Sequence, residues 1–326
     1  MSMMINVEKS AIVVDVGSRY LKCGMSGERS PRVVLRWEVA EMLLTQPPLS
    51  KQAWLQYIGK QLYDVCYKHL RVAPKNRRVV LCEDLLFPRN FREALVDAVV
   101  NVLKAKHVRL LPAMTTALYA TCHRTALIVD AGWHETRILP VFERHPLLHA
   151  YTTTSVGSRA CCAAISNELP LVRSAEDVLE RACFVATPSS SDVVAKPANF
   201  YAFTRHAFTV PASTRSHVVE SLFQGNEHVS IPDAIQECVA KCPVDTRRAL
   251  LANIVCIGGT SMLPGFVARL ASELAPSHGR IASTLFPPHF MTWIGASIYG
   301  STNTALVDPP TSPSSSTDDW MNIAVA

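Results

Sequence analysis

The stretch Ile254-Val-Cys-Ile-Gly-Gly-Thr-Ser-Met-Leu-Pro-Gly265 joins an apolar run, a glycine pair and the start of a helical pattern. The run Ile254–Ile257 predicts a buried strand that ends at Gly258-Gly259. The apolar residues that follow stand at helical spacing: Leu263, Phe266, Val267 and Leu270. A strand that passes through a glycine turn into a helix N-terminus predicts an anion site, because a ligand can approach glycine closely and the first helical amides are free. Such a turn is also common in purely structural connections.

Two further stretches of the chain repeat each other at a constant offset. The first runs Ile12-Val-Val-Asp15-Val-Gly17 and ends at Glu28-Arg29; the second runs Leu127-Ile-Val-Asp130-Ala-Gly132 and ends at Glu143-Arg144. The offsets are 130 − 15 = 115 and 143 − 28 = 115. Each copy predicts a hairpin with an Asp-x-Gly turn, and the repeat indicates a duplicated α/β unit. Two facing turns could hold a metal–phosphate group through water, although Asp-x-Gly is also ordinary turn chemistry.

Together, the two hairpins and the glycine stretch resemble the actin family. Leu70-Arg-Val-Ala-Pro74 and Trp293-Ile-Gly295 are also similar to actins, and the similarity runs with gaps from about Ala11 to Ile298. The resemblance implies an α/β, actin-like (duplicated ribonuclease-H-like) fold of two lobes with a central cleft. In actins a whole small subdomain, which grips the neighbouring subunit, follows the first strands. The short segment Trp37–Leu49 therefore implies that this subdomain is reduced in the first lobe.

The resemblance also sets the expected domain boundaries. The first lobe is expected over residues 1–125, completed by 285–306, and the second lobe over 126–284. The Pro/Ser-rich residues 307–326 predict a disordered tail. Near its end stands Asp318-Asp319-Trp320-Met321, for which a frayed terminus is favoured over a segment that docks into a partner. Lys75-Asn-Arg-Arg78 is a basic loop, interpreted as a solvated turn in preference to a contact for an acidic partner.

Composition excludes several classes of function. The 326 residues are 48% hydrophobic and 18% charged, with a mean hydropathy of +0.15, which is typical of a globular protein with a large core. No apolar run approaches the roughly 20 residues of a membrane span, and the N-terminus has no signal-peptide pattern. A net charge of +5 does not require nucleic acid. The ten cysteines lack Cys-x-x-Cys spacing and the histidines lack the HExxH pattern, so neither predicts a metal site.

Residue by residue, the resemblance implies a nucleotide pocket. Its residues come from the first hairpin, the second hairpin, one predicted helix and the glycine stretch: Asp15, Gly17, Ser18, Lys22, Asp130, Gly132, Glu180, Gly258, Gly259, Thr260, Ser261 and Met262. In actins the first hairpin binds phosphate, the glycine stretch lies beside the nucleotide and the helix glutamate lies near the nucleoside. ATP or ADP is therefore the cofactor to consider.

Several departures from the family pattern weigh against this pocket. Arg19 and His134 stand where actins have glycine, and Trp133 replaces an aspartate. These larger side chains either crowd the phosphate or contact it in a new way, and they leave nucleotide binding open. A bound ATP or ADP would then be a structural ligand that stabilises the folded chain by linkage.

The family's hydrolysis residues are replaced as well. Ala113 stands at the position of the water-orienting glutamine, Arg137 at that of its companion histidine, and Leu179 at that of a lysine near the adenine. Phosphoryl transfer to water requires a group that positions the attacking water, and neither alanine nor arginine does so. The sequence therefore predicts no catalytic residues and no useful ATPase activity.

Within the family, Lys241–Arg248, Ile257–Phe266 and Phe87-Pro88 most resemble a divergent branch at the pointed end of the dynactin filament. This implies a cytoplasmic, cytoskeleton-associated scaffold or capping subunit. Its partners would be the actin-like filament subunit, the other pointed-end subunits and, indirectly, dynein. One alternative is an actin-related subunit of a nuclear chromatin-remodelling complex. Another is an actin-fold ATPase or sugar kinase, against which Arg19, Trp133 and Ala113 count.

Overall fold

The computed structural model describes residues 10–170, 174–187, 198–201, 207–225 and 228–302. The chain divides into two compact units, each with its own hydrophobic core. Unit 1 comprises Met1–Cys122 and Phe290–Ala326, and unit 2 comprises His123–His289. The tail expected over residues 307–326 lies outside the described residues.

Unit 1 is built on a five-stranded sheet in the order β3-β2-β1-β4-β5. Its strands are β1 (Ile12–Val16), β2 (Tyr20–Met25), β3 (Val33–Arg36), β4 (Arg78–Glu83) and β5 (His107–Pro112). Strands β1 and β2 form the predicted antiparallel hairpin, while β4 and β5 continue the sheet in parallel with β1. Because β1 lies in the middle of this sheet, all five of its residues are buried.

Helices cover the sheet of unit 1. They are α1 (Val39–Met42), α2 (Lys51–Asp64), α3 (Arg89–Asp97), α4 (Ala113–Thr116) and α11 (Met291–Thr302). Each of α2 and α3 continues into a π-helical turn, over Val65–His69 and Ala98–Val102 respectively, and α4 continues into a 3-10 turn over Ala117–Ala120. Helices α2 and α3 pack against each other through Trp54 and Phe91, whose ring centroids lie 4.9 Å apart.

Unit 2 is built on a second sheet, in the order β12-β6-β7-β8, with β9 paired to β7. These strands are β6 (Ala126–Ala131), β7 (Thr136–Phe142), β8 (His145–Pro146), β9 (Thr152–Thr154) and β12 (Ile254–Ile257). Strands β6 and β7 form the second predicted hairpin, and β12 lies parallel to β6. A separate antiparallel pair consists of β10 (Ala198–Tyr201) and β11 (Ala207–Val210).

The helices of unit 2 are α5 (Ser158–Glu168), α6 (Ala175–Ala182), α7 (Ala212–His217), α8 (Ile231–Lys241), α9 (Val244–Leu251) and α10 (Phe266–Leu274). Helix α8 shows how the sequence fixes a start: the Ser230 hydroxyl accepts a hydrogen bond from the amide of Asp233, and Pro232 occupies the first turn, where its missing N–H costs nothing.

Membrane-spanning helices, metal sites and cysteines can be considered for both units together. Across the described ranges, no helix has both the length and the apolar character that a membrane crossing requires. Within the same ranges, no three His, Cys, Asp or Glu side chains are grouped so that they could hold a metal ion. All ten cysteines are free thiols, and nine of them are buried.

Candidate functional site

The first Asp-x-Gly hairpin carries a buried ion pair at its turn. Asp15 lies directly opposite Lys22 in the β1–β2 register, and the Lys22 ammonium is 2.7 Å from the Asp15 carboxylate. Their side chains are only 5% and 16% exposed. The lysine that the resemblance assigns to phosphate therefore already holds a carboxylate, so its charge is balanced without a ligand.

The segment that follows β3 forms hydrogen bonds with the turn of this hairpin. The Trp37 indole N–H donates to the Gly17 carbonyl at 2.8 Å, and the Ala40 amide donates to the Ser18 carbonyl at 3.0 Å. The Gly17 amide donates across the turn to the carbonyl of Tyr20 at 3.2 Å, and a Cβ at Gly17 would lie 2.8 Å from that oxygen. The turn thus requires glycine for its own closure, whatever binds beside it.

Arg19 has a structural contact that the sequence did not show. Its side chain is 8% exposed, and its guanidinium lies 2.7 Å from the carboxylate of Glu41 in α1. The Arg19 carbonyl also accepts from the amide of Trp37 at 3.2 Å. Arginine in place of the family's glycine therefore binds the short post-β3 segment to the turn.

The second hairpin repeats the ion pair of the first. Asp130 lies opposite Arg137 in the β6–β7 register, and the guanidinium is 2.6 Å from the carboxylate. The spacing is the same in both hairpins, 22 − 15 = 7 and 137 − 130 = 7, and both partners in unit 2 are nearly buried, 12% and 14% exposed. The cationic partners also obey the offset of the repeat, 137 − 22 = 115.

Tyr151 lies beside the Asp130–Arg137 ion pair, and Glu135 lies close to Tyr151. Burial raises the pKa of the Tyr151 hydroxyl to about 12, against the smaller opposing effect of the Arg137 charge. Burial also raises the pKa of Glu135. Arg137 thus lies in a largely buried group of polar side chains, where it forms an ion pair with Asp130. Because arginine keeps its proton, it cannot accept one from water.

The turn after Asp130 is closed by protein groups. The Gly132 amide donates to the carbonyl of Glu135 at 3.0 Å, and the Gly132 carbonyl accepts from the amide of Ser158 at 3.2 Å and from the Thr260 hydroxyl at 2.7 Å. Trp133 is partly buried and packs against the hydrophobic core of unit 2. The indole at the family's aspartate position is therefore a core contact.

The glycine stretch lies against this second hairpin. Gly258 has a φ of +90°, and a Cβ there would lie 2.3 Å from the Ala131 carbonyl oxygen and 2.6 Å from the Asp130 carboxylate. Gly259 is different, because a Cβ at that position would meet no atom within 4 Å. Gly258 is thus needed for close packing, whereas Gly259 borders open space.

The prediction that β12 leads through a glycine turn directly into a helix is wrong in one respect. After β12 the chain makes a 3-10 turn over Thr260–Met262, and α10 begins only at Phe266, after Gly265 with a φ of +85°. The Gly258 amide donates to the Pro288 carbonyl at 3.3 Å, so it is not free for an anion. Leu263, Phe266 and Leu270 are buried as predicted, but Val267 is 41% exposed. The predicted helix N-terminus thus lies at Phe266, beyond the glycine turn, while an anion site at the turn itself stays a prediction.

The side chains of the 3-10 turn have protein partners or face solvent. Thr260 donates to Gly132, as described above, and the Ser261 hydroxyl donates to the Gly258 carbonyl at 2.7 Å. Met262 is 46% exposed. The two hydroxyls hold the glycine loop in its shape and against the hairpin.

The structure has two hairpins with matching ion pairs, and a glycine loop packs on the second hairpin. Comparison with known proteins agrees with this arrangement. A sequence model of the family described as Actin matches residues 55–182 and 172–306. This chain belongs to the actin family. Its relatives include Actin-related protein 10 of Dictyostelium discoideum, which is 23% identical over 391 aligned residues, covering 89% of this chain and 82% of the relative. The predicted fold class and the resemblance to a divergent actin-related protein are confirmed.

The remaining positions inferred from the family lie on two helices. In this actin-family chain Leu179 is buried in the core of unit 2, on α6, while Glu180 is exposed on the same helix. Although the residue as a whole is exposed, its carboxyl group is partly buried. This burial, followed by the charges of Glu176 and Asp177, raises the pKa of Glu180. Helix α6 connects to the glycine loop through Val185, whose amide donates to the Pro264 carbonyl at 2.8 Å.

Ala113 occupies the family's glutamine position at the start of α4. Its carbonyl accepts from the Thr292 hydroxyl at 3.2 Å, which joins α4 to α11 within unit 1. The Ala113 side chain is a methyl group, so it cannot orient water. The structure thus places the family-derived residues on two hairpins, one loop and two helices. The ion pairs of Lys22 and Arg137 were missed, although opposite charges seven residues apart in both hairpins were visible in the sequence.

Proposed function

We propose that this chain is a non-catalytic actin-related scaffold that caps the pointed end of the actin-like filament of dynactin, and so supports dynein-driven transport along microtubules. Membership of the actin family and the likeness to an actin-related protein support the proposal. The dynactin assignment rests on the resemblance of Lys241–Arg248 and Ile257–Phe266 to that branch of the family.

The observation that carries the proposal is the segment between β3 and α2. Residues 37–50 contain only α1, a single helical turn, and they fold back onto their own hairpin through Trp37, Ala40 and Glu41. In actins a whole subdomain at this place grips the next subunit. Filament growth needs two different faces on each subunit, because head-to-tail contacts repeat without closing. A subunit that keeps one face and lacks the other ends the filament.

The chemistry of the hairpins supports a role without catalysis. Arg137 holds the Asp130 carboxylate, and Ala113 offers no polar group to an attacking water. Hydrolysis of a phosphoanhydride depends on such positioning. An ATP or ADP bound at the candidate residues would stabilise the fold by linkage and would not be turned over.

The proposal includes a cellular setting and a set of partners. The chain would be cytoplasmic and cytoskeleton-associated, in contact with the dynactin filament subunit and the other pointed-end subunits, and linked to dynein through them. Neither nucleic acid nor a membrane span is part of this function.

The test is purification of the tagged full-length chain from cell extract at moderate salt, with identification of the proteins recovered. Filament and pointed-end subunits of dynactin are the expected partners. Recovery of chromatin-remodelling subunits in their place would contradict the proposal. So would sedimentation of the purified chain as filaments, because a capping subunit cannot polymerise alone.

A further inference from the structure

Unit 1 has a basic edge that the proposed function does not use. It consists of Lys75, Arg77, Lys104 and Lys106, which precede strands β4 and β5. The two loops lie side by side, because Lys75 forms an isolated antiparallel bridge with Ala105 and the Lys106 amide donates to the Arg77 carbonyl at 2.8 Å. The three lysines are exposed and Arg77 is partly exposed.

The charges of the basic edge are not balanced locally. Across the described part of the chain, none of these four side chains forms an ion pair, whereas Lys22 and Arg92 of the same unit are paired with carboxylates. The dipole of α3 and of the π-helical turn that continues it to Val102 accounts for a cation near their end, such as Lys104. It does not account for Lys75 and Arg77, which follow Pro74 in a loop.

The last described helix ends beside this edge. The Gly300 carbonyl, near the end of α11, lies 3.4 Å from the Arg78 guanidinium at the start of β4. The 24 residues after Thr302 contain Asp308, Asp318 and Asp319 and no Lys, Arg or His (326 − 302 = 24). Sixteen residues separate Thr302 from Asp318. A coil of that many residues spans roughly 22 Å from end to end, which is long enough to reach the loops beside Arg78.

An apolar surface adjoins the basic edge. Val102, two residues before Lys104, is 43% exposed and lies next to Gly59 of α2. Further along α2 and its π-helical turn, the exposed rings of Tyr63 and Tyr67 contact each other, with their centroids 4.5 Å apart and their planes tilted by 38°. An acidic segment that also carries an aromatic residue fits such a surface, because cations and aromatic rings both attract an indole.

We propose that the acidic segment Asp318-Asp319-Trp320 of this chain docks in cis on the basic edge. Tethering raises the local concentration of the segment to the millimolar range, so weak charge pairs suffice to occupy the surface. An acidic segment from another protein can reach this edge only by displacing the chain's own tail.

The experiment follows a fluorescein-labelled peptide of residues 303–326 by fluorescence anisotropy. It is added to two full-length chains, the natural one and a variant with Asp308→Asn, Asp318→Asn and Asp319→Asn. The expected result is saturable, salt-sensitive binding to the variant, and binding at least severalfold weaker to the natural chain, whose own tail competes.

Charge reversal locates the site. In the tail-neutralised chain, Lys75→Glu with Lys106→Glu should weaken peptide binding by roughly two- to fivefold for each lost charge pair. The matched control, Arg248→Glu with Arg280→Glu, makes the same change of charge at exposed positions of unit 2 and should leave binding unchanged. Circular dichroism of each variant checks that it is folded.

Three results would overturn the proposal. They are absence of peptide binding to the tail-neutralised chain, equal weakening by both charge-reversal pairs, and equal affinity for the natural and tail-neutralised chains. The last result would mean that the edge binds acidic peptides without being occupied by the tail. None of these measurements depends on dynactin, so their outcome is independent of the proposed function.

Discussion

The guanidinium of Arg137 lies 2.6 Å from the carboxylate of Asp130, across the β6–β7 hairpin. Lys22 bears the same relation to Asp15 in the first hairpin, at 2.7 Å. In actins the second hairpin serves hydrolysis through a histidine at the Arg137 position. In this chain Arg137 is always charged, and it binds the Asp130 carboxylate in a structural ion pair. The duplicated unit therefore has the same electrostatic design at both turns.

Removal of Arg137 should destabilise unit 2. Arg137→Leu leaves the Asp130 charge buried without its partner, and such changes cost about 3 kcal/mol of the free energy of unfolding. Urea denaturation of the full-length chain measures this loss. The double variant Asp130→Asn with Arg137→Gln should lose less than Arg137→Leu, because it leaves no unpaired charge. Equal losses would show that packing of the arginine stem, and not charge, is responsible.

The purified chain should release no phosphate from ATP above the rate of buffer alone. The reason is that Ala113 and Arg137 leave no group to position water. Phosphate release is measured for the natural chain and for Asp130→Asn, which is matched in size. Turnover that Asp130→Asn abolishes would show that the hairpin is catalytic after all.

Much of the fold could be predicted because its signals are local. Apolar runs such as Ile12–Val16 and Ile254–Ile257 indicate buried strands, and the Asp-x-Gly turns fix the hairpins within a few residues. The start of α10 was misplaced for a local reason too. Pro264-Gly265 is turn chemistry, and it separates the glycine loop from the helix at Phe266.

The rest of the site could not be predicted, because it depends on contacts between distant segments. Arg19 meets Glu41 and the Trp37 indole meets Gly17 only once the segment after β3 has folded back. The sequence suggested that Arg19 would crowd a phosphate or contact it in a new way, and it did not reveal the ion pair with Glu41 of α1. The packing of Trp133 against the core of unit 2 could not be predicted either, because it is a tertiary contact.

Because of Tyr151, the free energy of unfolding should fall at alkaline pH. Burial raises its pKa to about 12, above the ordinary value of 10.0, so the unfolded chain loses this proton first as the pH rises. The contribution is fully present below pH 10.0 and is lost as the pH approaches about 12. Relative to Tyr151→Phe, the natural chain should lose about 1 kcal/mol between pH 10 and 11. Urea denaturation at several pH values gives both curves; parallel curves would show that the hydroxyl is solvated.

The adjacent glycines of the glycine loop offer a matched pair of substitutions. Gly258→Ala places a Cβ 2.3 Å from the Ala131 carbonyl at a φ of +90°, and this clash and strain should cost about 2–4 kcal/mol of unfolding free energy. Gly259→Ala adds the same methyl group where no atom lies within 4 Å, at a φ of −69° that suits alanine. It should change stability by less than about 1 kcal/mol, and in the stabilising direction, because alanine restricts the unfolded chain.

Thermal and urea denaturation of the two variants compare the same chemical change at neighbouring positions. The contrast tests whether the loop is held against the hairpin by close backbone packing at Gly258. Similar losses for both variants would contradict it, because Gly259 would then also be enclosed. A small loss for Gly258→Ala would mean that the loop moves away from Ala131 and Asp130 at little cost. In that case the loop would be free to adapt to a ligand, and it would no longer be a fixed part of unit 2.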